Sequence, residues 1–173
     1  MEELRKAIRE VPDFPKPGIL FYDITTLLRD RRAFAKTIDL FAERYIGERV
    51  DAVVCIEARG FILGAALAYR LGAGFIPIRK PGKLPARTIQ ENYALEYGTD
   101  SIEMHDDPIE KGQQVILVDD LLATGGTAAA ACRLVERTGG QILECCFLVE
   151  LVGLRGRARL GGRPAFSLIQ YES

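Results

Sequence analysis

Two adjacent carboxylates, Asp119 and Asp120, come directly before a run of small and hydroxylated residues, Ala123-Thr124-Gly125-Gly126-Thr127, and a strong helix former follows. The N–H groups at a helix N-terminus are unpaired and carry partial positive charge, so they can bind phosphate. Glycines let the phosphate approach the backbone. The threonine hydroxyls add donors, and one of them could cap the helix. The aspartates could accept hydrogen bonds from the hydroxyls of a sugar bearing that phosphate. The alternative is an ordinary strand-to-helix turn with a solvated aspartate pair.

A second polar cluster is Glu57-Ala58-Arg59-Gly60. The planar guanidinium of Arg59 can bind a phosphate through two parallel hydrogen bonds. The alternative for Arg59 is a solvent-facing salt bridge to Glu57 or to another acid. Both clusters follow short apolar runs, 52–56 and 115–118, which are typical of strands buried on both faces. Since ligands bind at the carboxyl ends of strands in open α/β sheets, both clusters are expected at one edge.

The elements around these clusters predict an α/β fold with a mainly parallel, twisted sheet and helices on both faces. Further strands are predicted at 74–80, 143–151 and 165–171, the last one at an edge of the sheet. A helix should follow Asp30, which could cap it, and Gly139-Gly140 should end the helix that follows the threonine-glycine run. We expect one domain over residues 1–173, because this length suits a single core and the sequence shows no internal repeat or low-complexity tract.

Two segments do not fit this alternation. Residues 12–25 contain three prolines yet are strongly apolar, which predicts either a rigid arm over the core or a lid over a flat ligand such as a purine. Residues 81–100 form a long connection, and such connections are usually functional lids or disordered. Alternation at Tyr93, Leu95 and Tyr97 predicts one arm of a mobile hairpin paired with 101–104. The nearby cations, Lys80, Lys83 and Arg87, are either solvated or screen a bound pyrophosphate.

Composition excludes several classes of protein. The net charge of −1 provides no basic field for nucleic acid or an anionic membrane. There is no apolar run of transmembrane length and no apolar signal core near Met1, so a cytoplasmic location is expected. The four cysteines lie in apolar patterns without Cys-x-x-Cys spacing, which favours buried thiols over disulfides or a zinc site. The only histidine, His105, is interpreted as a surface residue.

The stretch Val118-Asp119-Asp120-Leu121-Leu122-Ala123-Thr124-Gly125-Gly126-Thr127 resembles the phosphoribosyl pyrophosphate (PRPP) signature of type I phosphoribosyltransferases. Its form is closest to the adenine-specific family. Three other stretches carry the same resemblance: 57–60 to the pyrophosphate loop, 14–22 to the hood over the base, and Tyr93-Ala94-Leu95-Glu96-Tyr97-Gly98 to the flap. Tyr22 departs from the pattern, because many members have arginine after the hood phenylalanine. Together these stretches extend over nearly the whole chain.

The resemblance implies transfer of the phosphoribosyl group of PRPP to adenine, which yields AMP and pyrophosphate. It implies a hood within residues 1–30, a flap at 79–104, a homodimer, and Mg²⁺ that arrives with PRPP instead of being held by the protein alone. The base would meet Leu20 and Phe21, and the reacting centre would meet Glu96, Tyr97 and Arg59. The ribose would meet Asp119 and Asp120, and the 5′-phosphate would meet Ala123, Thr124, Gly125, Gly126 and Thr127. The pyrophosphate would meet Glu57, Ala58, Arg59, Gly60, Lys80 and Lys83.

Other functions remain open from sequence. The base could be hypoxanthine, guanine, xanthine or orotate, although the hood and the Glu96-Tyr97 flap favour adenine. A PRPP- or nucleotide-sensing regulator without catalysis would be expected to carry a DNA-binding appendage or a basic RNA-binding face, and neither is evident. A generic nucleotide-binding α/β domain explains the polar strand ends but not their combined spacing.

Overall fold

The computed structural model describes residues 1–95 and 98–172. Along the chain, the strands in these residues are β1 Arg9–Pro12, β2 Leu20–Asp23, β3 Ala52–Ile56, β4 Gly74–Ile78, β5 Thr88–Ala94, β6 Thr99–His105, β7 Gln114–Leu122, β8 Gln141–Leu151 and β9 Ala165–Tyr171. The α-helices are α1 Glu2–Ala7, α2 Thr25–Arg29, α3 Arg31–Glu43, α4 Arg59–Leu71 and α5 Gly126–Arg137. Two 3₁₀ turns, Val152–Leu154 and Gly156–Leu160, connect β8 to β9.

A five-stranded sheet with the order β4-β3-β7-β8-β9 forms the centre of the protein. All four of its pairings are parallel, which confirms the predicted fold class. The apolar run of β3 is buried throughout, as expected for a strand covered on both faces. The neighbouring strand β7 extends to Leu122, so Asp119 and Asp120 lie within the strand near its carboxyl end and not after it.

Alternate residues of the central strands face two separate apolar clusters. Val53 and Cys55 of β3 pack in the cluster that contains the buried side chains of α1 to α4. Val54 and Ile56 pack in the other cluster, with the buried side chains of α5 and the apolar residues of β6. The period of two along a strand thus distributes the helices over both faces of the sheet.

No helix in the described ranges is long and apolar enough to cross a membrane.

Two antiparallel strand pairs lie outside the central sheet. The first joins β1 to β2 within the predicted hood, with Val11 opposite Phe21. The second is the hairpin of β5 and β6, in which Asn92 lies opposite Ser101. The pairing with 101–104 is as predicted, but the arm β5 begins earlier in the sequence than predicted, at Thr88, and the strand ends at Ala94. The N–H of Leu95 donates to the carbonyl of Gly98.

Two of the three predicted helix ends agree with the structure. A carboxylate oxygen of Asp30 accepts the N–H groups of Arg32 and Ala33, both at 2.9 Å, and thereby caps α3. Helix α5 ends at Arg137, and Gly139 follows with a φ of +89°. The predicted threonine cap of α5 is wrong: the capping position belongs to Gly125, and no described side chain bonds there.

Candidate active site

The largest group of predicted site residues meets in one cavity of about 430 Å³ at the carboxyl ends of β3, β4 and β7. Its lining residues are Ile56, Glu57, Ala58, Arg59, Ile78, Arg79, Lys80, Tyr93, Ile102, Asp119, Asp120, Leu121 and Thr127. The predicted pyrophosphate and ribose residues therefore come together, as expected when parallel strands end at the same edge of a sheet. Tyr93 and Ile102 come from the β5–β6 hairpin, which forms one wall of this cavity.

An ion pair joins the two polar clusters. Nε of Arg59, the first residue of α4, donates to Oδ2 of Asp120 at 2.5 Å. Asp120 is only 7% exposed. Arg59 therefore does form a salt bridge, and its acid is Asp120, 61 positions along the chain, and not the neighbouring Glu57. Charge-assisted bonds of this kind fix the guanidinium at the mouth of the cavity.

Asp119 lies beside this pair, near the end of β7. One of its carboxylate oxygens accepts the N–H of Asp120 at 2.9 Å. Loss of hydration, and then the nearby charge of Asp120, raise the pKa of Asp119 well above its ordinary value. Gly60 makes this arrangement possible, because a Cβ at that position would lie 2.8 Å from Oδ1 of Asp119. Helix α4 can thus begin directly against the end of β7.

The loop before α5 forms a second, smaller cavity. It measures about 90 Å³ and is bordered by every residue from Ala123 to Thr127, together with Asp119. Gly125 has a φ of +80°, a conformation that favours glycine. A Cβ on Gly125 would lie 2.3 Å from the carbonyl oxygen of Gly156, and a Cβ on Gly156 would lie 2.3 Å from that of Ala123. The loop is therefore in backbone contact with the 3₁₀ turn that begins at Gly156, a residue not predicted from sequence.

Glu57 forms a salt bridge with Arg79, a residue that was not predicted from sequence as part of the site. Arg79 donates to both carboxylate oxygens of Glu57, at 3.0 and 2.7 Å. These hydrogen bonds lower the pKa of Glu57. The peptide bond between Glu57 and Ala58 is cis. Arg79 directly follows β4, and its place beside Lys80 at a strand end was the signal that could have identified it.

The two predicted pyrophosphate lysines lie in different surroundings. Lys80 contacts a carboxylate oxygen of Asp100 and the hydroxyl of Tyr93, and it lines the cavity. Lys83 does not line it; its backbone carbonyl accepts a hydrogen bond from Arg79 at 3.1 Å. The hairpin residues bonded to Lys80 connect the cavity wall to the end of β4.

The hood strand β2 brings Phe21 next to Arg59, which lines the cavity. The ring of Phe21 packs edge-to-face on Phe14, with the centroids 5.1 Å apart. The guanidinium carbon of Arg59 lies 5.5 Å from the centroid of Phe21, within the range of a cation–π interaction. Leu20 precedes it and is 37% exposed. The predicted catalytic residues Glu96 and Tyr97 lie outside the described residues.

Salt bridges that were not predicted from sequence attach the β5–β6 hairpin to α5. The carboxylate of Glu91 accepts hydrogen bonds from Arg133 at 3.0 Å and Arg137 at 2.9 Å. The same arginines donate to the backbone carbonyls of Asn92 and Gln90. The hairpin is therefore held by the helix whose N-terminus forms the small cavity.

Within residues 1–95 and 98–172, no group of three or more His, Cys, Asp or Glu residues could hold a metal ion.

Comparison with known proteins agrees with this geometry. The family described as "Phosphoribosyl transferase domain" matches residues 23–160. The adenine phosphoribosyltransferase of Acidobacterium capsulatum is 61% identical over 170 residues, which cover 98% of this chain and 94% of that protein.

Solved structures give the same result. The crystal structure of adenine phosphoribosyltransferase from Thermoanaerobacter pseudethanolicus is similar with a TM-score of 0.95 and 54% identity, over 98% of this chain and 99% of that one. The Saccharomyces cerevisiae enzyme, complexed with an imino-altritol bisphosphate and adenine, has a TM-score of 0.92 and 43% identity, over 96% and 97% of the two chains. The chain therefore belongs to the adenine phosphoribosyltransferase family.

Proposed function

We infer that the protein transfers the 5-phosphoribosyl group of PRPP to adenine and forms AMP and pyrophosphate, a reaction of purine salvage. The observation that carries this inference is the position of Arg59, which contacts Asp120 on one side and the ring of Phe21 on the other. This single side chain joins the proposed pyrophosphate, ribose and base subsites. The S. cerevisiae relative, crystallised with adenine and a bisphosphate, supports the same pair of substrates.

We assign the 5′-phosphate to the small cavity bordered by residues 123–127. Its volume of about 90 Å³ suits a compact anion. The N-terminus of α5 supplies unpaired N–H groups and a favourable dipole there. Asp119 borders both cavities, so the ribose that connects the two phosphate ends of PRPP would lie over Asp119 and Asp120. The carboxylates would accept hydrogen bonds from the ribose hydroxyls.

The pyrophosphate group would lie along residues 57–60, with Arg59, Arg79 and Lys80 as the nearby cations and Lys83 close to them in sequence. PRPP competes with Asp120 for the guanidinium of Arg59, while the ribose hydroxyls offer Asp120 new donors. Binding thus exchanges one charged pair for several charge-assisted hydrogen bonds, and it keeps each buried charge partnered.

The reaction breaks the bond between C1 of the ribose and a pyrophosphate oxygen, and the electron pair leaves with that oxygen. Positive charge develops on the ribose ring while a nitrogen of adenine attacks C1, and the proton that adenine loses passes to the departing pyrophosphate or to water. Cations of the chain stabilise the departing pyrophosphate, and Leu20 and Phe21 would hold the flat base. The roles of Glu96 and Tyr97 at the reacting centre stay predictions from the family resemblance.

We further propose that Mg²⁺ enters with PRPP. When bound, it would neutralise charge on the pyrophosphate. Magnesium prefers oxygen ligands, and the carboxylates of Asp119 and Asp120 border the cavity where the ribose and its metal would lie.

A homodimer and a cytoplasmic location are also proposed. The homodimer is supported by apolar side chains exposed on α4 and β4: Ile62 is 45%, Tyr69 91% and Phe75 40% exposed. The cytoplasmic location is supported by four buried cysteines in the free thiol state. The mass of the purified protein in solution, measured by light scattering, tests the homodimer.

The proposed reaction is tested by turnover of the purified protein with PRPP and Mg²⁺ on five bases: adenine, hypoxanthine, guanine, xanthine and orotate. Adenine should be used fastest. A faster reaction with hypoxanthine or guanine would contradict the assignment of the base.

The ribose assignment is tested by the double variant Asp119→Asn/Asp120→Asn, which should abolish AMP formation while the circular dichroism spectrum stays unchanged. Asp107→Asn, a change at an exposed aspartate away from the cavity, is the matched control. Retained activity of the double variant would remove the ribose-binding role, and an unfolded double variant would make the pair structural.

A further inference from the structure

Tyr22, the residue after the proposed base-side phenylalanine, stacks on Tyr171 at the end of β9. The two ring centroids lie 3.8 Å apart with an interplanar angle of 25°. Arg5 of α1 adds to this contact: its guanidinium carbon lies 4.7 Å from the centroid of Tyr171, and it donates to the carbonyl of Gln170 at 2.7 Å. The hood is thus attached to the edge strand of the central sheet through an aromatic stack.

The alternating direction of the side chains on β2 connects this stack to Phe21. Successive side chains of a strand point to opposite faces. Phe21 contacts Phe14 and Arg59 on the cavity side, whereas Tyr22 contacts Tyr171 on the other. A displacement of Tyr22 therefore moves Phe21, because the two residues share one short strand.

The ring of Tyr171, and not its hydroxyl, makes the contact. Tyr171 is 6% exposed, and its hydroxyl oxygen is buried without a hydrogen-bond partner in the described part of the chain. A buried hydroxyl without a hydrogen-bond partner lowers the stability of the fold. Removal of the Tyr171 hydroxyl breaks no hydrogen bond to a described residue. Tyr171→Phe is therefore a conservative variant that keeps the stack, and Tyr171→Ala is one that removes it.

We propose that the Tyr22–Tyr171 stack is a positioning element that sets the affinity for adenine by holding Leu20 and Phe21 over the cavity. This proposal rests on the proposed function. The residues assigned to PRPP lie in other segments: the loops after β3 and β4, the start of α4, the end of β7 and the start of α5. Neither tyrosine lines the two cavities, and the contact of Phe21 with Arg59 is the link described above between the hood strand and these residues. The stack therefore acts mainly on adenine.

The kinetic test compares Tyr22→Ala, Tyr171→Ala, Tyr171→Phe and the double alanine variant, with KM measured separately for adenine and PRPP. Aromatic pairs contribute enough to predict a rise of about threefold to tenfold in the KM for adenine in either alanine variant. The KM for PRPP should stay within about twofold, since neither tyrosine lines its subsites and Arg59 keeps its ion pair with Asp120 when Phe21 moves. Tyr171→Phe should restore the wild-type KM, and the double variant should be no worse than the single ones, since one contact is lost in all three.

A second measurement follows the stack without turnover. Amide hydrogen exchange in residues 9–23 should be faster in Tyr171→Ala than in wild type, and unchanged in Tyr171→Phe. The proposal is overturned if exchange in the hood is the same in all variants, or if both KM values rise equally. Absence of AMP from the wild-type protein would contradict the proposed function instead, so the two failures are distinguishable.

Discussion

Replacement of Gly125 by alanine should disable the proposed 5′-phosphate site through backbone geometry alone. Two separate costs arise at this position. The φ of +80° is unfavourable for any residue with a Cβ. The new Cβ would also lie 2.3 Å from the carbonyl oxygen of Gly156, and this atom belongs to the backbone, so no rotation of a side chain relieves the clash.

The magnitudes follow from these two costs. The left-handed backbone costs a residue with a Cβ about 1–2 kcal/mol, and overpacking adds about 1–3 kcal/mol, so the loss of stability should total roughly 2–5 kcal/mol. Carbon–oxygen contacts normally begin near about 3.3 Å, so the loop and the 3₁₀ turn must separate by about 1 Å. A misplacement of that size costs about 100-fold in rate, and we expect kcat/KM for PRPP to fall by about that factor.

Two other glycines separate the two costs. Gly72 has a φ of +67°, and a Cβ at this position would have no described atom within 4 Å, so Gly72→Ala carries the conformational cost alone. Gly156→Ala carries the clash alone, because its Cβ would meet the carbonyl oxygen of Ala123 at 2.3 Å without a left-handed φ. We expect Gly72→Ala to lower the melting temperature with normal kinetics. Gly156→Ala should lower kcat/KM for PRPP much as Gly125→Ala does.

The assays are thermal unfolding and steady-state kinetics with PRPP varied at saturating adenine. Wild-type kcat/KM in Gly125→Ala would refute the assignment of the phosphate to residues 123–127. Equal kinetic damage in Gly72→Ala would show that general destabilisation, and not the loop contact, lowers the rate.

Three other variants test the electrostatics. Asp119→Asn should raise the melting temperature at neutral pH while it lowers kcat/KM for PRPP. The pKa of Asp119 is raised in the folded protein, so its ionisation lowers the stability of the wild type as the pH rises. The advantage of the variant in melting temperature should therefore vanish below about pH 4. Asp23, whose pKa is lowered to about 2 by hydrogen bonds from Thr25 and Arg9, contributes stability that is fully present above about pH 4 and is lost as the pH falls through 2. Asp23→Asn should therefore be less stable than wild type at pH 7, and the difference should shrink steadily between about pH 4 and pH 2 and vanish below pH 2. Glu91→Gln should weaken the contact with Arg133, a partly exposed pair worth about 1 kcal/mol, and amide exchange in residues 88–94 should become about fivefold faster at low salt. No change would mean that packing and the arginine bonds to the carbonyls of Gln90 and Asn92 hold the hairpin without the carboxylate.

Local patterns in the sequence were sufficient for the frame of the protein. The apolar runs of β3 and β7 predict buried parallel strands, and parallel strands place their carboxyl ends at one edge. That rule correctly placed residues 57–59 and the Asp119–Asp120 pair at the same cavity. The cap at Asp30 was also predictable, because its acceptor bonds N–H groups only two and three residues away.

Contacts between distant segments were not predictable in the same way. The acid that binds Arg59 depends on the order of the strands, which no local pattern states. The need for glycine at 156 depends on which loop packs against it. The threonine cap of α5 was wrong because the capping position is Gly125, which has no hydroxyl and whose left-handed backbone packs against Gly156. The pairing of the hairpin with 101–104 was predicted correctly, but the start of its first strand at Thr88 was not, because the apolar alternation used for the prediction begins only at Tyr93.

Among the described residues, the pair β1–β2 has no strand-to-strand hydrogen bonds with the central sheet, and this separation matters for how such a protein can change its substrate. The proposed base-side residues lie before position 24, whereas the proposed ribose and phosphate residues lie after position 56. A segment of about fifteen residues can therefore be exchanged between relatives while the phosphate chemistry is inherited intact. Arg59 and Tyr171 are two side chains of the main body that contact the hood strand through its rings, so a segment grafted in its place should supply a ring for each of them.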